Sequence, residues 1–217
     1  MIDIKAISKA LTLKDDGIWY CNRHENISYP EDGNESCFEV EETSFWFRHR
    51  NRCITTVVRS FPPPNNGEIF DIGGGNGYVS LGLSRAGFTP VLVEPGETGA
   101  LNAKMRGVEN VICASAFAAE FKEKSLPAIG LFDVIEHIEN DLSFLKSIGN
   151  LIMDDGRLYL TVPLYPFLWS EEDSLAGHFR RYKLTGIKKL LHATGFNIEF
   201  CSAIFRPLPA PIFLSRT

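Results

Sequence analysis

The run Ile69-Phe70-Asp71-Ile72, followed by Gly73-Gly74-Gly75-Asn76-Gly77, constrains this chain more than any other stretch. An apolar segment carries an acid and then delivers four glycines within five residues. That pattern reads as a buried strand opening into a loop that a ligand can approach closely, because glycine accepts positive φ and has no Cβ. Tyr78 to Ala86 reads as a helix closed by Gly87 at a C′ position. The first amides of such a helix point back at whatever the loop holds. The unit therefore suits a nucleotide-like ligand. The dinucleotide spacing Gly-x-Gly-x-x-Gly is absent: counted from Gly73 its third glycine falls on Tyr78, and from Gly75 on Ser80. There is no Walker lysine.

A second apolar run, Thr89 to Val93, ends in Glu94, 23 positions after Asp71, and the breaker pair Pro95-Gly96 follows. In a Rossmann-like sheet an acid there faces ribose hydroxyls. Further strands are expected at Asn110–Cys113, Ala128–Phe132, Arg157–Val162 and Phe196–Ala203. Helices are expected from about Glu94 to Lys104, at Asp141–Met153 with Asp154-Asp155-Gly156 as its stop, and from an N-cap at Thr185 to Gly195. Strands alternating with amphipathic helices indicate an α/β, doubly wound, Rossmann-like sheet. Residues 1–38 read as an irregular extension and 39–217 as the domain, with a helix over 39–60 and a core over 68–205. A chain of 217 residues suits one domain.

Net charge of −5 argues against a nucleic-acid footprint. No stretch approaches the roughly 20 apolar residues of a membrane span, and Met1 to Lys5 shows no signal-peptide pattern. Five scattered cysteines point to reduced thiols and a cytoplasmic setting. No metal is expected at Cys21, His24, Cys37 and Cys53, whose spacing matches no compact zinc knuckle.

Beyond the glycine loop, the chain carries Asp133-Val134-Ile135-Glu136-His137 after the fourth strand, Gly177-His178-Phe179-Arg180-Arg181-Tyr182 later, and Phe45-Trp46-Phe47-Arg48-His49-Arg50 before the core. With these elements in this order, it resembles a bacterial subgroup of the class I S-adenosylmethionine (SAM)-dependent methyltransferases over about residues 44–205. The resemblance implies a SAM cofactor, with S-adenosylhomocysteine as product. Gly73, Gly74, Gly75 and Gly77 would wrap its methionine part, Asp71 would fix the loop or the amino group, and Glu94 would hold the ribose. Ser115 stands where many relatives place an acid that reaches the adenine amine, with the Ala116 amide beside it. Asp133 would lie at the mouth next to the methyl group. Arg50 reads either as a partner for the SAM carboxylate or as a surface helix residue. The family sheet closes with an antiparallel seventh strand, yet Pro207, Pro209 and Pro211 are poor strand material, so the sheet is expected to lack it.

Methyl transfer is an in-line displacement, and a base is needed only where the acceptor must lose a proton. His178 and His137 are the candidate bases, because histidine titrates near neutrality. Tyr182 is a candidate to orient the acceptor. The expected partner is a small-molecule acceptor. The apolar tail Ile204–Leu214 fits a lipid-like acceptor, a weak membrane-surface contact, a dimer seam or a broken core element equally. An NAD-dependent oxidoreductase and a non-catalytic SAM-binding module are the alternatives.

Overall fold

The computed structural model describes residues 2–21 and 33–205. In chain order its helices and strands are α1 (Ile4–Ile7), β1 (Leu11–Leu13), β2 (Ile18–Cys21), α2 (Gly33–Thr43), α3 (Phe45–Ser60), β3 (Ile69–Ile72), α4 (Tyr78–Arg85), β4 (Pro90–Val93), α5 (Glu97–Met105), β5 (Asn110–Cys113), β6 (Leu126–Phe132), α6 (Asp141–Leu151), β7 (Ile152–Thr161), α7 (Glu171–Leu175) and α8 (Leu184–Ala193). They fall into two compact units. One runs to Phe132 and takes back Asn150–Thr161; the other comprises Asp133–Gly149 and the chain from Val162.

The first unit contains the whole sheet, in the order β1-β2-β5-β4-β3-β6-β7. Every pair is parallel except β1 with β2. All four positions of β3 and of β4 are buried. Parallel strands covered on both faces need such unbroken apolar runs. Ile54 and Val58 of α3 and Val79 and Leu83 of α4 pack with Ile69, Ala128, Phe132 and Tyr159. Ala100 and Ala103 of α5 pack with Ile18, Leu92 and Val111. Each fully buried Leu, Ile or Val in these clusters contributes about 2 kcal/mol.

From β3 the chain steps outward to β4 and β5, then returns to place β6 on the other side of β3. That reversal makes the carboxyl end of β3 the topological switch point, where open α/β sheets bind ligands. The strand ends are tied level there. The Gly73 amide donates to the Val93 carbonyl at 2.8 Å, the Glu94 amide to the Ile112 carbonyl at 2.9 Å, and the Ala114 amide to the Glu94 carbonyl at 3.1 Å.

Several expectations are corrected. Residues 2–21 are not irregular: they supply the β1–β2 hairpin, and β2 pairs with β5. The helix foreseen over 39–60 is two helices, because Ser44 leaves the helical region (ψ 130°) and its side chain caps α3 by accepting the Trp46 amide. Asp154-Asp155-Gly156 does not terminate a helix but lies inside β7, where the pairing slips between Leu126↔Ile152 and Ala128↔Arg157. A Cβ on Gly156 would sit 2.5 Å from Ile152 Cγ2 and 2.8 Å from the Pro127 carbonyl, so the irregular segment needs glycine. Helix α8 begins after Lys183, with Thr185 inside it.

The sheet reaches seven strands by an unforeseen route. Its antiparallel member is β1, at the edge opposite β7. Among the described residues no strand follows Thr161, and the expected strand at Phe196–Ala203 does not form. In the second unit α8 ends in a Schellman motif: Gly195 sits at φ 89°, its amide donates to the His192 carbonyl, and the Phe196 amide donates to the Leu191 carbonyl. Residues 206–217, with the three prolines and most of the apolar tail, lie outside the described residues. Among the described residues no helix is long and apolar enough to cross a membrane.

Candidate functional site

In the first unit the loop after β3 takes the backbone its sequence requires. Gly73, Gly75 and Gly77 have φ of 69°, 52° and 75°, which side chains bearing a Cβ rarely adopt. Gly74 is confined differently: a Cβ there would lie 2.8 Å from Leu92 Cδ1 and 3.0 Å from Asp71 Oδ2.

Two buried carboxylates hold this loop. Asp71, 1% exposed, accepts the Ser80 hydroxyl at 2.7 Å and thereby ties β3 to the first turn of α4. Burial lifts its pKa to about 6, against the pull of Ser80 and of the Arg50 charge. Glu94 accepts the Gly75 amide on Oε2 and the Gly96 amide on Oε1, both at 2.8 Å. Burial raises its pKa to about 7, the two amides opposing and the Asp71 charge adding to the rise. A carboxylate offers about four lone-pair sites, so two remain for incoming hydroxyl donors.

Arg50 is half-buried, and its Nη2 donates to Thr161 Oγ1 at 3.4 Å. Ser115 accepts the Ala118 amide on its hydroxyl oxygen at 3.1 Å, which caps the turn after β5 and leaves its proton to donate. Ala116 is buried in that turn.

Sequence reasoning missed the clamp around the loop. Asn76, 2% exposed, accepts the Asn102 amide at 2.9 Å and donates to Glu41 at 3.3 Å. Arg106 Nη1 pairs with Glu41 Oε2 at 2.6 Å and donates to the Asn76 carbonyl at 3.0 Å, while its guanidinium stacks over Phe38. These contacts span up to 68 positions, so no local pattern announces them.

The second unit gathers a polar cluster. Asp133, the residue after β6, has φ 61°, a left-handed conformation that aspartate tolerates better than most. Asp173 is 2% exposed. Its Oδ1 receives His178 Nδ1 at 2.9 Å and Arg181 Nε at 2.8 Å, and its Oδ2 receives the Ser170 amide at 2.9 Å. Burial works to raise its pKa, but Arg181, the Ser170 amide and His178 outweigh that and hold it below the usual carboxylate value. The signal for Asp173 was present as the Ser-x-x-Asp capping box of α7.

The rings of His137 and His178 meet edge to face, 4.7 Å apart. Burial, then the neighbouring His178 charge, lowers the His137 pKa to about 4. Glu136 is fully buried, and one donor atom each from Glu136, His137 and His178 lie within 4.8 Å of one another. Tyr182 is buried, with its hydroxyl 2.9 Å from Asp141 Oδ2 and 3.2 Å from the Ile135 carbonyl. Asp141 also pairs with Arg180 at 2.8 Å.

The sequence matches the family described as methyltransferase domain over residues 45–199. Solved structures of similar fold include a SAM-dependent methyltransferase of Thermotoga maritima (TM-score 0.56, 20% identity, covering 76% of this chain and 81% of that one). Another is the Burkholderia thailandensis 1,6-didemethyltoxoflavin-N1-methyltransferase, with bound 1,6-didemethyltoxoflavin and S-adenosylhomocysteine (0.58, 17%, 82% and 81%). A third is the Haemonchus contortus phosphoethanolamine N-methyltransferase 2 in complex with SAM (0.62, 20%, 88% and 47%). No curated protein matches the sequence.

Proposed function

The chain belongs to the methyltransferase-domain family, and from that premise we propose that it transfers a methyl group from SAM to a small-molecule acceptor. The observation that carries the reading is the loop after β3. Three glycines with positive φ are held by Asp71 below and by Glu94, whose carboxylate keeps two lone-pair sites for hydroxyl donors. A ribose presents two such donors side by side. Relatives of the same fold bind SAM or S-adenosylhomocysteine and act on small molecules.

Bound SAM supplies a methyl group on a positively charged sulfur. The chain's residues do the rest. The glycine loop lets backbone approach the ligand with no Cβ between them. Glu94 accepts the ribose hydroxyls. Ser115 and the Ala116 amide meet the adenine, the hydroxyl as donor. Arg50, whose charge already acts on Asp71, meets the cofactor's carboxylate. Asp133 is the residue assigned to the methyl end.

In the second unit His178, oriented by Asp173, is the acceptor-side group, with His137 beside it. Tyr182 acts as a brace, because its single proton is committed to Asp141 or to the Ile135 carbonyl. A SAM titration by calorimetry tests the cofactor assignment. One equivalent should bind, and Gly75→Val should abolish the heat while leaving NAD silent in both proteins. Heat with NAD and none with SAM would move the chain to the oxidoreductases.

A further inference from the structure

We infer that Glu136, His137 and His178 form a binding site for one divalent transition-metal ion, with an open position for an oxygen or nitrogen ligand. The three residues come from two segments 41 positions apart, and the fold brings one donor atom of each within 4.8 Å of the others. Two imidazoles and one carboxylate are a donor set that first-row divalent ions favour. Around an ion with ligand bonds of about 2.1 Å, neighbouring donors stand about 3.4 Å apart, so the cluster closes by roughly an ångström when it loads.

The surroundings are those of a metal site. His178 spends Nδ1 on Asp173 at 2.9 Å, which fixes the ring and turns Nε2 to other work. A carboxylate behind a histidine is the usual device that orients a metal-bound imidazole and raises its basicity. Asp173 is itself held by Arg181 at 2.8 Å and by the Ser170 amide at 2.9 Å. Glu136 is fully buried, and a bound cation stabilises a carboxylate held out of water. The Phe179 amide donates to the Glu136 carbonyl at 2.7 Å and locks the two segments together. Three protein ligands leave a fourth position open, as in catalytic rather than structural sites. An acceptor hydroxyl or amine entering it would be made more acidic by the ion, and the proton would leave to solvent.

The experiment titrates the full-length, chelator-treated protein with Co2+ and follows visible absorption, without SAM or acceptor, so that it does not depend on the cofactor assignment. One equivalent should bind with d–d bands of four- or five-coordinate nitrogen–oxygen ligation, and Zn2+ should displace it. Glu136→Gln and His178→Ala should each weaken binding at least tenfold while circular dichroism and melting stay near wild type. Asp173→Asn should weaken it by roughly tenfold to a hundredfold. Absence of the bands in the wild-type protein would overturn the inference, as would a thiolate charge-transfer band, which would place the ion on cysteine. Unchanged affinity in a folded His178→Ala protein would do the same.

Discussion

Glu94→Gln isolates the electrostatic cost of the cofactor loop. In the folded protein Glu94 titrates near pH 7, against an ordinary value of 4.5, chiefly because it is buried. The folded state therefore holds its proton more tightly than the unfolded chain does. Its contribution favours folding below about pH 4.5 and is lost as pH rises towards 7. Integrated from pH 5 to pH 8, that single site lowers stability by roughly 2 to 3 kcal/mol. Glutamine removes the titration. It also leaves an NH2 group facing one of the two amides that the carboxylate accepts, from Gly75 or Gly96, at a cost of about 1 to 3 kcal/mol. The variant should thus be less stable than wild type at pH 5, and the gap should close or invert by pH 8. Urea denaturation of both ligand-free proteins across that range measures the difference directly. Two pH profiles that run parallel would refute the assignment of the pH dependence to Glu94. Asp71 titrates near 6, inside the same range, and its charge adds to the rise at Glu94, so the same pair of profiles in an Asp71→Asn background separates the two carboxylates.

Further outcomes follow from the same geometry. Gly74→Ala forces a methyl group to within about 3 Å of Leu92 and Asp71, so calorimetry should show at least a tenfold loss of SAM affinity with the fold retained in circular dichroism. Tyr182→Phe removes a hydroxyl bonded to Asp141 and should cost about 1 to 2 kcal/mol in urea melts. Its methyl-transfer rate, measured well below the melting temperature, should stay near wild type, and a silent but equally stable variant would return Tyr182 to the chemistry. Arg106→Met leaves Glu41 without its buried partner and should lower stability by about 3 kcal/mol, read as a fall in urea midpoint.

The glycine loop and its two acids were legible from sequence because their physics is local. A buried parallel strand must be apolar throughout, a left-handed turn needs glycine, and an acid that interrupts such a run stands out. Strands β3, β4 and β5 and helix α4 accordingly lie where the pattern places them. The same pattern failed at Asp154-Asp155-Gly156, whose turn chemistry fits a helix stop and a strand irregularity equally; only the clash of a Cβ with Ile152 and Pro127 settles which. It failed again at Phe196–Ala203, because a strand exists only where another strand offers it hydrogen bonds, and none among the described residues does.

By itself, then, the order of residues set the parallel α/β core and the ligand loop, since burial, chain reversal and backbone freedom are properties of short segments. The pairing of β2 with β5, the Arg106–Glu41 clamp and the meeting of Glu136, His137 and His178 arose from folding alone. Each joins residues tens of positions apart, and a contact of that span has no energy until the intervening chain has been folded around it.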